Sequence, residues 1–147
     1  MTPSPLVTLS PPQAIFIIGG MLNILFSSLV GYMVLWVRTR DPKKPVSRYS
    51  MVTHNAAIMN GTLLIALSVA IQYTPFIEPV KIGLALAEVL ATTLSAIRNV
   101  VSWNNEFNDA IGQGSSHSNR LRGLGNIFHL FNAAAILYGV VRVAFGI

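Results

Sequence analysis

The sequence predicts an all-α integral membrane protein, an oligomeric four-helix bundle. Hydrophobic residues make up 52% of the 147-residue chain and charged residues only 10%, and the mean hydropathy is +0.58. A typical soluble domain carries about 25% charged residues, so this composition excludes an ordinary water-soluble fold. Four segments also reach the roughly 20 apolar residues that a bilayer core about 30 Å thick requires. Because so short a chain encloses little volume, we expect several copies to build any sizeable site.

The four predicted spans form one transmembrane domain that covers residues 1–147. The first span follows Pro11 and Pro12, which suit the first turn of a helix. The second stops before Pro75 and the third begins near Pro79, so these two spans should be antiparallel neighbours. The fourth follows a glycine-rich and serine-rich stretch, 104–122, which predicts a flexible loop. The spans cover approximately residues 13–37, 51–73, 79–103 and 123–145.

Basic residues predict how the spans are oriented. The first loop contains five of them and the third loop two, whereas the second loop offers only Lys81. The positive-inside rule therefore places the first and third loops in the cytoplasm and both termini outside it, in a protein of the bacterial inner membrane. The basic residues of the first and third loops are Arg38, Arg40, Lys43, Lys44, Arg48, Arg120 and Arg122.

Charge and composition exclude several classes of function. The net charge of +5 reflects the predicted topology, and no basic stretch is interleaved with stacking aromatic residues, so we expect no nucleic-acid binding. The chain contains no cysteine, which excludes disulfides, thiolate nucleophiles and thiolate metal ligands. The expected partners are the lipid bilayer and other copies of the same chain.

His54, near the start of the second span, is the first candidate for chemistry. Polar groups in hydrocarbon are costly and persist mainly where they have a role, so the ring either hydrogen-bonds a neighbouring helix or binds a metal or haem. His129 in the fourth span lies at a similar predicted depth. Glu88 is the only carboxylate well inside the membrane, which argues against a carboxylate-bridged metal site. A haem needs only one or two axial histidines and an apolar slot, and it is the cofactor that these residues support best.

Polar residues also follow one face of the third span, at steps of four and three. Close helix packing explains the small hydroxyl residues among them. It does not explain Glu88, because an unpaired carboxylate in lipid is expensive, and either Arg142 or a water-filled cavity is the expected partner. The fourth span carries a second polar group around His129. The residues concerned are Glu88, Thr92, Ser95, Asn99 and Ser102 on the third span and Asn126, His129 and Asn132 on the fourth.

The second span resembles a known family. His54, five intervening residues, then Asn60 and Gly61 before an apolar run to Ala70 are similar to the second helix of the microbial styrene oxide isomerases. That family has small membrane subunits of similar size with four spans. The specific part of the resemblance is the stretch 49–70, and the rest of the chain is similar only in topology.

The resemblance implies a homotrimer that binds haem b between adjacent subunits, with His54 as the axial ligand of the iron. The ferric iron would act as a Lewis acid on the oxygen of an apolar epoxide. The ring would open, and a 1,2-shift would give the carbonyl product without net redox change. Asn60 would lie beside the bound oxygen. In a gap-free register Asn99 takes the place of a tyrosine of the family and Glu88 only roughly replaces its aspartate. The resemblance therefore leaves the substrate open.

Helical geometry limits how these residues can meet. His54 and Asn60 are separated by about 240° of helical turn, so they do not share a face. Asn60 can therefore serve His54 only if the pocket wraps around the helix, or if Asn60 belongs to the site of the neighbouring subunit.

The sequence leaves three other functions open. One is a small multidrug or proton-coupled transporter, which also has four short helices and one intramembrane carboxylate, here Glu88. Such proteins, however, carry that carboxylate in their first helix. A membrane haem electron carrier would use His54 and His129 as two axial ligands. In an assembly protein the polar residues would only pack.

Overall fold

The structure is a computed structural model that describes residues 8–43, 45–105 and 116–146. For residues 116–122 it describes the backbone alone. Within that part of the chain, four helices are long and apolar enough to cross a membrane, so the predicted all-helical fold and its four spans are confirmed. A turn of 3₁₀ helix, Ile71–Tyr73, extends the second helix. Helix α1 is Pro11–Arg40, α2 is Arg48–Ala70, α3 is Glu78–Asn104 and α4 is Ser116–Phe145.

Local sequence explains both ends of α1. At its start, the Ser10 backbone N–H donates a hydrogen bond of 3.0 Å to Gln13 Oε1, and Pro11 and Pro12 have no N–H group that would need a partner there. At its end, basic residues of the last turn interact favourably with the negative end of the helix dipole. The first loop therefore follows a well-defined helix end.

Helix α4 begins earlier than the sequence suggested. It starts at Ser116, so the prediction of a loop is wrong for residues 116–122, while residues 106–115 lie outside the described part of the chain. The stretch 116–122 contains neither proline nor glycine, and serine is favoured at helix N-termini, so it is compatible with a helix. Among the residues whose side chains the structure describes, the segment of α4 that is long and apolar enough to cross a membrane is Gly123–Phe145.

Polar and apolar residues separate along the length of the bundle. Helices α1, α2 and α3 pack against one another, and α4 packs mainly against α3. The apolar core lies toward the α2–α3 connection and consists of Phe16, Leu64, Leu67, Ile71, Ala85 and Ile136. Toward the α1–α2 and α3–α4 connections the buried side chains are largely polar and include Ser27, Ser50, Thr53, Arg98, Asn99 and Ser102. The interior of the bundle is therefore hydrophilic at one end and mainly apolar at the other, where the buried hydroxyls of Ser68 and Thr74 donate to backbone carbonyl oxygens of their own segment.

Two glycines bring α1 and α2 into close contact. A Cβ atom at Gly20 would lie 2.8 Å from the Gly61 carbonyl oxygen, and a Cβ at Gly61 would lie 2.8 Å from the Gly20 carbonyl oxygen. Small residues at such positions let membrane helices approach closely enough for their backbones to touch. This contact fixes the relative position of the two helices that carry the candidate site.

Candidate functional site

His54 lies half-buried on the side of α2 that contacts α1, where it meets Ser27. The Ser27 hydroxyl donates a hydrogen bond of 2.8 Å to the His54 carbonyl oxygen. His54 Nδ1 lies 2.9 Å from the Ser27 carbonyl oxygen and 2.9 Å from Ser27 Oγ. A carbonyl oxygen can only accept, so Nδ1 carries a proton and donates it.

This arrangement selects one tautomer of the His54 ring. In a neutral imidazole with the proton on Nδ1, Nε2 keeps its lone pair and can bind a metal. Among the described residues, none hydrogen-bonds to Nε2. Metal-binding histidines usually donate their other ring N–H to a carbonyl or carboxylate group, and His54 has such a partner.

Gly31 borders the same ring. A Cβ atom at Gly31 would lie 3.0 Å from His54 Cε1 and 3.2 Å from His54 Nδ1. Ser27 and Gly31 are four residues apart on α1 and therefore lie on one face of that helix. One residue thus hydrogen-bonds the imidazole, and the other leaves space for it.

Sequence reasoning missed the roles of Ser27 and Gly31. Their spacing places them on one face of α1, and that is the signal the sequence contains. Which helix this face meets depends on how α1 and α2 pack, and the packing is determined largely by the contact between Gly20 and Gly61.

Asn99, the second predicted site residue, lies on the other side of α2. It is 6% exposed and lines a pocket of about 230 Å³ between α2, α3 and α4, to which α2 contributes Val52 and Ala56. These two residues are each two positions from His54, and two positions correspond to about 200° of helical turn. One chain therefore does not bring Asn99 and His54 to the same face of α2.

Asn60, the third predicted site residue, is half-buried and precedes Gly61 at the α1–α2 contact. Its side-chain amide makes no hydrogen bond within the described part of the chain. The amide is therefore free to hydrogen-bond a group outside the described part of the chain.

The predicted polar face of α3 is largely buried: Glu88, Thr92, Asn99 and Ser102 are buried and Ser95 is half-buried. Glu88 is 0% exposed, Asn132 Nδ2 donates a hydrogen bond of 2.9 Å to its Oε2, and His129 Nδ1 contacts its Oε1. The expectation that Arg142 would pair with Glu88 is wrong. The spacing of His129 and Asn132, three residues apart on α4, places both opposite the carboxylate.

The two membrane histidines occupy different helix interfaces. His54 on α2 contacts α1, whereas His129 on α4 contacts Glu88 on α3. Among the described residues, no three histidine, cysteine, aspartate or glutamate side chains cluster in a way that would hold a metal ion. A cofactor bound through a single histidine remains compatible with this arrangement.

An apolar groove runs between α1 and α3. Its volume is about 410 Å³, and its walls include Leu22, Phe26, Ile97 and Val100. Asn23 is a polar residue of the groove, and its amide donates a hydrogen bond of 2.9 Å to the Gly19 carbonyl oxygen of its own helix. The groove therefore suits apolar molecules.

Comparisons with known proteins do not assign the site. No family model, no curated protein and no solved structure matches this chain. The resemblance to the styrene oxide isomerases therefore stays a prediction that rests on the motif of α2.

Proposed function

We propose that the protein is a membrane-bound, haem-dependent epoxide isomerase with His54 as its axial ligand. The observation that carries the proposal is the hydrogen bond from His54 Nδ1 to the Ser27 carbonyl oxygen, which leaves Nε2 as the ligating nitrogen. The donor set suits haem b better than a bare metal ion, because the porphyrin brings its own nitrogen ligands and needs only one imidazole from the protein.

Ferric haem bound through His54 would supply a Lewis acid, whose polarisation of an epoxide oxygen is worth several kcal/mol. The residues of the chain would do the rest. Ser27 and Gly31 would hold the imidazole in one orientation. Asn60 and Asn99 would donate hydrogen bonds to the substrate oxygen as negative charge develops on it.

The surroundings of the spans favour rearrangement over hydrolysis. The groove between α1 and α3 and the lipid-facing residues of the spans are apolar, so an apolar epoxide would concentrate there and water would be scarce. Water that reached the opening epoxide would give a diol instead of a carbonyl compound. The substrate class we propose is therefore an apolar epoxide, and the product is the aldehyde or ketone formed by a 1,2-shift.

We propose that the site is shared between subunits of a homotrimer. In one chain His54 faces α1 and Asn99 faces the pocket beside α4, so a second copy is needed to bring an Asn99 to a given His54. Native mass measurements that find only monomers, each with a full complement of haem, would contradict this.

For localisation, we propose the bacterial inner membrane with both termini outside the cytoplasm. The basis is the concentration of basic residues in the first and third loops. Cysteines introduced singly near either end and probed with a membrane-impermeant reagent should react in intact spheroplasts. A cysteine introduced beside Pro42 should react only after lysis.

An epoxide panel tests the proposed reaction. Purified haem-loaded protein incubated with aryl and alkyl epoxides should form carbonyl compounds without nicotinamide or oxygen. Deuterium at the migrating position should be retained in the product, because the shift is internal. If ferric haem is bound and no epoxide of the panel gives a carbonyl product, the isomerase proposal fails.

A membrane haem electron carrier ligated by both His54 and His129 is the second candidate, and it is less well supported because the two rings lie at different helix interfaces of one chain. The visible spectrum of the ferric protein separates the two candidates. A high-spin spectrum supports a single axial histidine and the isomerase, whereas a low-spin spectrum with two histidines supports the carrier.

A further inference from the structure

Facing rows of polar residues line the contact between α3 and α4. On α3 they recur at steps of four and three, so this row follows one side of the helix. On α4, Asn126 and Asn132 each lie three residues, about one turn, from His129. Glu88, His129 and Asn132 lie near the middle of these long helices, far from the helix ends. The rows are Glu88, Thr92, Ser95 and Asn99 on α3 and Asn126, His129 and Asn132 on α4.

Both oxygens of the buried Glu88 carboxylate have partners on α4. Asn132 donates to Oε2 at 2.9 Å, and His129 Nδ1 contacts Oε1. The side chain of His129 is 23% exposed, and its Nε2 is the ring nitrogen that Glu88 does not engage. The cluster therefore contains one nitrogen at which a further proton can bind.

We infer that Glu88, His129 and Asn132 form an intramembrane proton-binding site. A proton binds at His129 Nε2, while the proton on Nδ1 stays hydrogen-bonded to Glu88 Oε1. The resulting imidazolium neutralises the carboxylate, which is favourable where a net charge is costly. When the proton leaves, one negative charge remains on Glu88, and the N–H groups of His129 and Asn132 stabilise it. This inference goes beyond the proposed isomerase and does not require haem.

The structure also provides a route for the proton from one side. The pocket of about 230 Å³ whose polar lining is Ser95, Arg98, Asn99 and Asn126 lies between the Glu88–His129 pair and the α1–α2 and α3–α4 connections. It can hold several waters, each of which occupies about 30 Å³ in the liquid. Asn126 is one turn from His129, so a chain of waters and polar side chains can reach the pair.

The opposite side of the pair is closed by apolar residues. Ala85, one turn before Glu88 on α3, is 0% exposed, and Ile136, one turn after Asn132 on α4, is 2% exposed. Both belong to the apolar core. Proton exchange should therefore occur only from the side of the first and third loops.

Few other charged groups could control this site. In the membrane-embedded parts of α1 and α2 the chain carries no aspartate, glutamate, lysine or arginine, and the His54 ring contacts α1. Arg98 lies ten residues from Glu88 along α3, about 15 Å along the axis, but it lines the polar pocket, so its positive charge borders the route. Arg142 lies ten residues beyond Asn132 on α4. Of the tyrosines in the described helices, Tyr32, Tyr73 and Tyr138 are exposed and Tyr49, at the start of α2, is half-buried. Within the described residues, His129 is the titratable group in contact with Glu88.

Infrared spectra of the protein in liposomes, with isotope-labelled histidine, test the site. In the wild type, the band of the protonated His129 ring should change reversibly between about pH 5 and pH 9, and it is assigned by its loss in His129→Gln. In Glu88→Gln the protonated band should be lost, because the imidazolium would have no counter-charge in the membrane. A wild-type His129 band that does not change over this range would overturn the inference, and so would a Glu88→Gln variant that titrates like the wild type.

Substitutions in the polar pocket test the route separately, and they remain informative if Glu88→Gln does not fold. Asn126→Leu fills the polar pocket and should slow the change of the His129 band after a pH jump by at least about tenfold, with the same final amplitude. The matched control is Asn105→Leu, which removes an exposed amide that hydrogen-bonds the Val101 carbonyl oxygen of its own helix, and it should exchange at the wild-type rate. An Asn126→Leu variant that exchanges at the wild-type rate would contradict the route.

Discussion

Ser27 and His54 hold each other through hydrogen bonds that run in opposite directions between α1 and α2. The Ser27 hydroxyl donates to the His54 carbonyl oxygen at 2.8 Å, and His54 Nδ1 donates to the Ser27 carbonyl oxygen at 2.9 Å. The pair joins two helices and also determines which ring nitrogen can bind a metal. The Ser27 carbonyl oxygen holds the Nδ1 proton in place, so the ring presents Nε2 to a metal.

Ser27→Ala tests whether this pair prepares His54 to bind haem. Without the hydroxyl, the His54 carbonyl oxygen loses the hydrogen bond from Ser27 and Nδ1 loses one of its two oxygen contacts, so the ring is oriented less well. We expect haem affinity to fall by about tenfold, the lower end of what the loss of a group that orients a metal ligand costs. The haem affinity is measured from the Soret absorbance while haem is titrated into haem-depleted protein.

The matched control for Ser27 is its neighbour in sequence. Ser28 is exposed, and its hydroxyl donates to the Ile24 carbonyl oxygen of its own helix at 3.0 Å. Ser28→Ala should bind haem as the wild type does. Equal affinities of the two variants would show that the Ser27 hydroxyl has no part in orienting the ligand.

Gly31→Ala should weaken haem binding for a steric reason. The added methyl group would lie 3.0 Å from His54 Cε1, so the ring must turn or α1 must move away. We expect affinity to fall between about 10-fold and 100-fold. Gly83→Ala is the control, because a Cβ atom there meets nothing within 4 Å. The steric account fails if Gly31→Ala and Gly83→Ala bind haem equally well.

Gly20→Ala should destabilise the bundle whether or not a cofactor is bound. Its methyl group would lie 2.8 Å from the Gly61 carbonyl oxygen, and backbone cannot yield as a flexible side chain can. Overpacking of this kind costs about 1–3 kcal/mol in the free energy of unfolding. The free energy of unfolding of Gly20→Ala and of the control Gly83→Ala can be compared in mixed detergent micelles, with circular dichroism as the probe of unfolding. Equal stability of the two variants would mean that the contact between Gly20 and Gly61 has room for an added methyl group.

Asn60→Ala should separate catalysis from cofactor binding. If the amide donates to the substrate oxygen, its loss should lower kcat by about a hundredfold, as removal of a single oxyanion donor does. The ferric haem spectrum should not change. A variant that turns over normally, or one that loses its haem, would remove Asn60 from the proposed role.

The sequence predicted the spans well because their signal is local. Length and hydropathy identify each segment, and prolines such as Pro11 and Pro79 mark where helices begin. The buried face of α3 was also predictable, since it follows from helical periodicity alone. The start of α4 at Ser116 was not predictable in the same way. The glycines at 112 and 114 favour a loop, but they do not show where that loop ends.

The partners of the polar side chains could not be predicted from local sequence. Glu88 pairs with His129 and Asn132 because α3 and α4 present these faces to each other, and the rotation of a helix about its axis depends on packing along its whole length. The Ser27–His54 pair has the same origin. The sequence contained the polar residues of each helix, but their pairing required the three-dimensional structure.

The absorption spectrum of purified His54→Ala, compared with that of the wild type, tests the central claim most directly. We predict a Soret band from ferric high-spin haem in the wild type, no such band in His54→Ala, and the same amount of inserted protein in both. His129→Ala should keep the band, because its ring lies at a different helix interface. A wild-type protein purified from haem-sufficient cells without a Soret band would contradict the account, as would a His54→Ala variant with full haem occupancy.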